Sequence, residues 1–159
     1  MSLLLTGSKT ITIAGTEMQC LEIYTGESYT LPFQFTDTNS NPINCVGWTV
    51  NTAAKWYTCS VSYTNPTTIN ITNLTLNSPQ PSGAASANIV ASFTDDTLGE
   101  GYLYLPADIT GGTNGTPVVS LTATLATLVI ITMGVSRTDA LSSSTNYNRE
   151  PFGILVRYQ

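Results

Sequence analysis

Apolar and polar residues alternate with a period of two along much of this chain. Tyr29, Leu31, Phe33 and Phe35 alternate with Thr30, Pro32, Gln34 and Thr36, the pattern of a strand that buries one face. Pro32 has no N–H for a ladder and predicts an edge or strand-end position. The strand stops at residues 37–42, Asp-Thr-Asn-Ser-Asn-Pro, where short polar side chains bond back to the main chain and proline pre-sets a turn. Trp48, Val50, Thr52, Ala54 and Trp56 then share a face, after which the apolar positions move to Cys59, Val61 and Tyr63. A one-residue slip exchanges the two faces of a strand, so a bulge or tight turn is predicted near Tyr57 and Thr58. Further strands are predicted at 69–76, 88–93, 102–105 and 118–135, the last interrupted near Ala126. Phe152, Ile154, Val156 and Tyr158 finally alternate with Gly153, Leu155 and Arg157. Terminal segments fray unless docked, so this last strand is expected to lie in a sheet or against a neighbouring subunit.

No window places apolar residues at i, i+3, i+4 and i+7 over a helical length. Many short strands separated by turn signals, at spacings of roughly 8 to 12 residues, predict an all-β fold: an immunoglobulin-like antiparallel β-sandwich, or alternatively a β-barrel. Residues 77–87, with two prolines and a glycine, read as a loop. Too little chain flanks them for two cores, so residues 1–159 are expected to form a single domain whose termini dock or exchange strands. Phe33, Phe35, Trp48, Val50 and Trp56 are the predicted core. Phe152, Ile154, Val156 and Tyr158 are the predicted interface, because the chain has little charge with which to guard exposed strand edges.

Composition narrows the partners. The chain is 42% hydrophobic and only 9% charged, against roughly 25% charged residues in average domains. Its surface must lean on Thr, Ser and Asn, whose hydroxyls and amides re-pair on desolvation more readily than charges do; a module that works assembled is expected, as a homo-oligomer or docked on other proteins. The net charge of −5 supplies no field for phosphate backbones, so nucleic acid is not expected as a partner. Residues 109–136 are uncharged, but threonines and glycines break their apolar runs far below the roughly 20 residues of a membrane span, and no membrane partner is expected. The N-terminal Met-Ser-Leu-Leu-Leu-Thr-Gly lacks the basic start and long apolar stretch of a secretory signal, which predicts synthesis and use in a cytoplasm.

Residues 24–51 carry a more specific pattern. Gly26 precedes the alternating strand, Asp37 opens a turn that closes on Asn41-Pro42-Ile43, and the Gly47-Trp48 pair opens the next strand. This hairpin resembles the opening of the β-sandwich domains at the N-terminus of phage baseplate upper proteins and related tail and fibre attachment proteins. The resemblance implies a structural or assembly protein of a tailed-phage virion, at the tail, neck, baseplate or fibre attachment site, made in the host cytoplasm and partnered by other virion proteins. A capsid decoration protein is the alternative within the particle, and a carbohydrate-binding module the alternative outside that class.

Candidate chemistry is sparse. With no histidine, acyl-transfer triads and the commonest general base are missing, and no enzyme is expected. Cys20, Cys45 and Cys59 form no C-x-x-C pair; without histidine they read as buried structural thiols, not as a zinc site. Asp95, Asp96 and Glu100 have the chemistry for glycoside hydrolysis or calcium binding, but adjacent Asp residues on a strand face opposite ways, and Thr-Asp-Asp-Thr-Leu-Gly-Glu-Gly reads as a turn. No metal or cofactor is expected. Asn70, Asn73 and Asn114 head glycosylation-like triplets that read as polar strand and loop faces. Glycine-rich 109–117 lacks the lysine and helix of a phosphate cradle. Trp56-Tyr57 with Tyr102, Tyr104, Tyr147 and Tyr158 make a host glycan the remaining external ligand, by sugar stacking, although aromatics serve more often in strands and interfaces.

Overall fold

A computed structural model describes residues 2–5, 8–24, 28–65, 68–77, 89–105, 124–138, 144–146 and 150–157. Tyr147, Tyr158, Asn114, the glycine-rich stretch 109–117, nearly all of the loop expected at 77–87 and the expected strand start at Val118 lie outside these residues. The strands are β1 Ser2–Leu5, β2 Lys9–Ile13, β3 Thr16–Tyr24, β4 Tyr29–Thr36, β5 Thr49–Asn65, β6 Thr68–Leu76, β7 Val90–Asp95, β8 Glu100–Leu105, β9 Leu125–Thr138, β10 Ser144–Asn146 and β11 Glu150–Arg157, with one 3-10 turn at Asp96–Leu98.

The fold is all-β. Four strands form an antiparallel sheet in the order β1-β4-β8-β7. The others run β10-β9-β11-β3-β2-β6-β5, and β5 pairs again with β9, so six of them close on themselves as a barrel. Two pairings, β11 with β3 and β2 with β6, are parallel, so the expected purely antiparallel arrangement does not hold.

Two apolar clusters follow from this topology. Ile11, Cys20, Cys59, Ile69, Leu128 and Leu155 belong to one. They come one from each of the six barrel strands and none from the four-stranded sheet, which identifies the cluster as the barrel interior. Gly153 marks how tightly it is filled: a Cβ there would lie 3.0 Å from Ile11 Cδ1 and Leu128 Cδ1. The other cluster joins Leu21, Ile23, Trp56, Ile131, Phe152 and Ile154 of the barrel wall to Phe33, Phe35 and Leu103 of the sheet. Phe33, Phe35 and Phe93 meet edge to face there, with ring centroids 5.5–6.3 Å apart, a geometry that aromatic quadrupoles favour.

Of the predicted core residues, Phe33, Phe35 and Trp56 are buried. Trp48, in the connection before β5, and Val50, at the start of that strand, are only half-buried and pack against the edge of the same cluster.

Three expectations are corrected or narrowed by the structure. Phe152, Ile154 and Val156 are not an interface: they are at most 1% exposed, and β11 is hydrogen-bonded on both edges, to β9 and to β3 of its own chain. The apolar shift after Trp56 is not a slip of β5, which pairs with β9 without a break from Thr49↔Ser136 to Ser60↔Leu125. Trp56 faces the sheet, while Cys59 and Val61 face the barrel interior; the strand keeps its alternation and changes the core it serves. A register shift does fall where the bulge was expected, at Thr58/Ser60 of the β5–β6 ladder, but the extra residue belongs to β6, where three steps from Thr75 to Thr72 match two on β5 and Asn73 takes φ +53°; a second shift, at Tyr63/Asn65, puts its extra residue in β5. Finally, β9 begins at Leu125, so Ala126 lies inside it and is buried in the barrel interior, while residues 118–123, upstream of the expected interruption, lie outside the described residues.

Pro32 is instructive. It belongs to an interior strand, yet Phe35 N–H donates to Gly99 O on the β8 side, so by alternation the Pro32 nitrogen faces β1, which ends opposite Phe33. The missing N–H falls beyond the last described pair of the β1–β4 ladder.

Candidate functional site

Three features of the surface are candidates. The first lies at one barrel mouth. Lys9, Glu22, Tyr63 and Arg157 each stand two residues beyond an interior position, Ile11, Cys20, Val61 and Leu155 respectively, so the period of two gathers them at the same end. Lys9 Nζ pairs with Glu22 Oε1 at 3.5 Å, Tyr63 OH donates to Glu22 Oε2 at 2.6 Å, and the Arg157 guanidinium lies 5.4 Å from the Tyr63 ring centroid, within cation–π range. Burial, reinforced by the bond to Glu22, pushes the Tyr63 phenol up to about 12. The carboxylate is answered from within the group, which makes this a polar plug for the mouth.

The second feature is the outer face of the four-stranded sheet. Phe33, Phe35, Leu103 and Leu105 point to the barrel, so their neighbours on β4 and β8 point away from it, and Val90 and Ser92 do the same on β7. The register lines them up as Thr30–Tyr104–Val90 and Pro32–Tyr102–Ser92. Neither row carries a charge. Tyr104 is 38% and Val90 45% exposed. Gly101 lets the three strands approach closely: a Cβ there would run into the Ser92 backbone oxygen and the Phe33 ring.

The third is a cavity of about 310 Å³ beside the β4–β5 connection. Asp37 organises that connection, its Oδ1 accepting from the N–H groups of Asn39 at 2.8 Å and Asn41 at 2.9 Å. The bond from Asn41, with help from Asn39, holds its carboxyl below the usual range. Trp48 N–H donates to Cys45 O at 3.0 Å across a turn in which Gly47 takes φ +80°, a conformation that glycine adopts without strain. The turn sets the indole at the cavity wall.

No protein-family model matches this chain, and no curated protein matches its sequence.

The carboxylates weighed for acid–base or calcium chemistry are placed in the turn. Asp95 Oδ1 accepts from Thr97 N at 3.1 Å and Thr97 Oγ1 at 2.6 Å, Asp96 O accepts from Cys45 N at 2.6 Å, and Glu100 Oε1 accepts from Gln34 Nε2 at 3.4 Å. Among the described residues no three His, Cys, Asp or Glu side chains gather as metal ligands, and no helix is long and apolar enough to cross a membrane.

Cys20, Cys45 and Cys59 are free and buried. Burial pushes the Cys20 thiol up to about 12 and Cys59 to about 11, and raises Cys45 as well. Of the aromatics considered for sugar stacking, Trp56 is 1% exposed and unable to serve; Tyr102 and Tyr104 do share a face.

Neither the polar plug nor the cavity rim was visible in the sequence. The plug residues are ordinary strand residues until the barrel interior is known, and Asp37 reads simply as a turn former.

Proposed function

We propose that this chain is a non-enzymatic structural module of a tailed-phage virion, docked through the outer face of its four-stranded sheet on other virion proteins or on copies of itself. The observation that carries this reading is the pair of adjoining uncharged rows, Thr30–Tyr104–Val90 and Pro32–Tyr102–Ser92, with Glu100 beside Gln34 bringing a charge only in the row that borders them. Tyrosine offers a large apolar surface with one hydrogen-bonding tip and is enriched in interfaces from which charge is depleted. The resemblance of residues 24–51 to baseplate, tail and fibre attachment domains supplies the particle. We take the fold as a sandwich in which the sheet packs on one wall of a barrel, a body whose stability rests on its own two cores and leaves the outer face free for contact.

Electron microscopy of intact particles of the encoding virus tests the proposal. Density for the barrel and its sheet is expected at the tail, neck, baseplate or fibre attachment site, with the Tyr104 face against a neighbour. Density on the capsid lattice would select the decoration role instead. Absence from every particle would overturn the reading.

A further inference from the structure

We propose that the cavity beside Trp48 binds a single neutral sugar ring. This inference rests on the cavity alone and stands or falls independently of the virion reading. Its volume of about 310 Å³ lies at the lower end of the roughly 300–1,000 Å³ of small-ligand sites, which suits one ring and not an extended chain. The walls are of two kinds. Ile43, Cys45, Val135 and the half-buried Trp48 are apolar, whereas Asp37, Thr38 and Asn44 bring polar groups.

The spare hydrogen-bonding capacity of those polar groups is what points to a sugar. Asp37 Oδ1 is taken by two backbone N–H groups, but Oδ2 receives only the Asn41 amide at 3.5 Å, so it can accept a further hydroxyl. Asn44 spends its Oδ1 on the Val46 N–H at 3.0 Å, and its Nδ2 has no partner among the described residues. The exposed Thr38 hydroxyl can donate or accept. A carboxylate acceptor, an amide donor and a hydroxyl beside an indole match a pyranose, which presents an apolar C–H face for stacking and hydroxyls around its edge that donate and accept in turn. An anion finds no cation among the lining residues. A cationic side chain would use Asp37 and the indole but would leave the Asn44 donor facing it unused.

The test uses the intrinsic fluorescence of the full chain. Trp56 is 1% exposed, so a ligand entering the cavity reports through Trp48. Methyl glycosides of glucose, galactose and mannose, and N-acetylglucosamine, are titrated separately, with arginine amide as the cationic probe. At least one sugar should saturate, with Kd on the order of 1 mM as befits a few hydrogen bonds and one stacked ring. Asn44→Asp keeps the Oδ1 that caps Val46 and removes the Nδ2 donor, and Thr38→Val removes an exposed hydroxyl; each should keep the thermal midpoint and weaken binding about fivefold or more. Tyr104→Ala, on the outer sheet face, should leave binding unchanged. The proposal is overturned if no sugar saturates, if binding is equal in both cavity variants, or if arginine amide alone binds.

Discussion

Trp56 and Trp48 stand at opposite ends of the same stretch of chain and differ in what their removal should do. Trp56 is 1% exposed between barrel wall and sheet, so Trp56→Ala should destabilise by about 3–5 kcal/mol, the range for deleting a buried large aromatic. Trp48 is half-buried and should lose clearly less in the same denaturant titration; equal losses would contradict the placement. The thiols give a second residue-scale expectation. With burial raising all three pKa values, thiolate is scarce at neutral pH and access is closed, so a maleimide should leave Cys20, Cys45 and Cys59 unmodified until the protein is denatured. Rapid native labelling of any of them would place it elsewhere. Asp37 supplies a pH signature. Its folded pKa lies below the ordinary value near 3.8, so its contribution is complete at neutral pH and is lost as the pH falls through the depressed value. Asp37→Asn should flatten the acid limb of the stability curve below about pH 4 and leave the neutral and basic limbs parallel to wild type.

At the scale of elements, β9 and β11 matter most, because each is buried on both faces and paired on both edges. Deleting residues 152–157 should therefore open the barrel and abolish cooperative unfolding, not merely assembly; a truncated chain with a native melting transition would refute the closure. This also explains what the sequence could and could not convey. Period-two alternation located β4, β6, β8 and β11 to within a few residues, since one strongly apolar face is a local property. It could not say which apolar face meets which core. The shift from Trp56 to Cys59 was legible, but whether a strand slips or changes cover depends on the barrel closing behind it, through the β5–β9 pairing between residues about 75 apart. For the same reason the apolar face of β11 read as an interface: a buried and an unpartnered strand look alike until the neighbours are known. The turn at Asp95–Glu100 was readable because its chemistry is local, with Asp95 capping Thr97 and Gly99 at φ +63°.

The molecule as a whole combines a filled barrel, with the Glu22 cluster at one mouth, and a sheet whose outer face carries two adjoining uncharged rows. The proposed docking uses residues other than those of the two cores, so folding and docking separate experimentally. Surface substitutions on an exposed strand face change stability by about 0.5 kcal/mol or less, so the pair Val90→Glu and Tyr104→Glu should fold normally while placing charge on the proposed contact, where an unpaired carboxylate is costly to desolvate. Lys55→Glu, on an exposed position of the barrel wall, serves as the control. The decisive measurement is the occupancy of these variants in purified particles, with thermal midpoints confirming that each is folded. Docking through the sheet face predicts near-complete loss of the Val90→Glu/Tyr104→Glu protein from particles and wild-type occupancy for Lys55→Glu. Wild-type occupancy for both would contradict it.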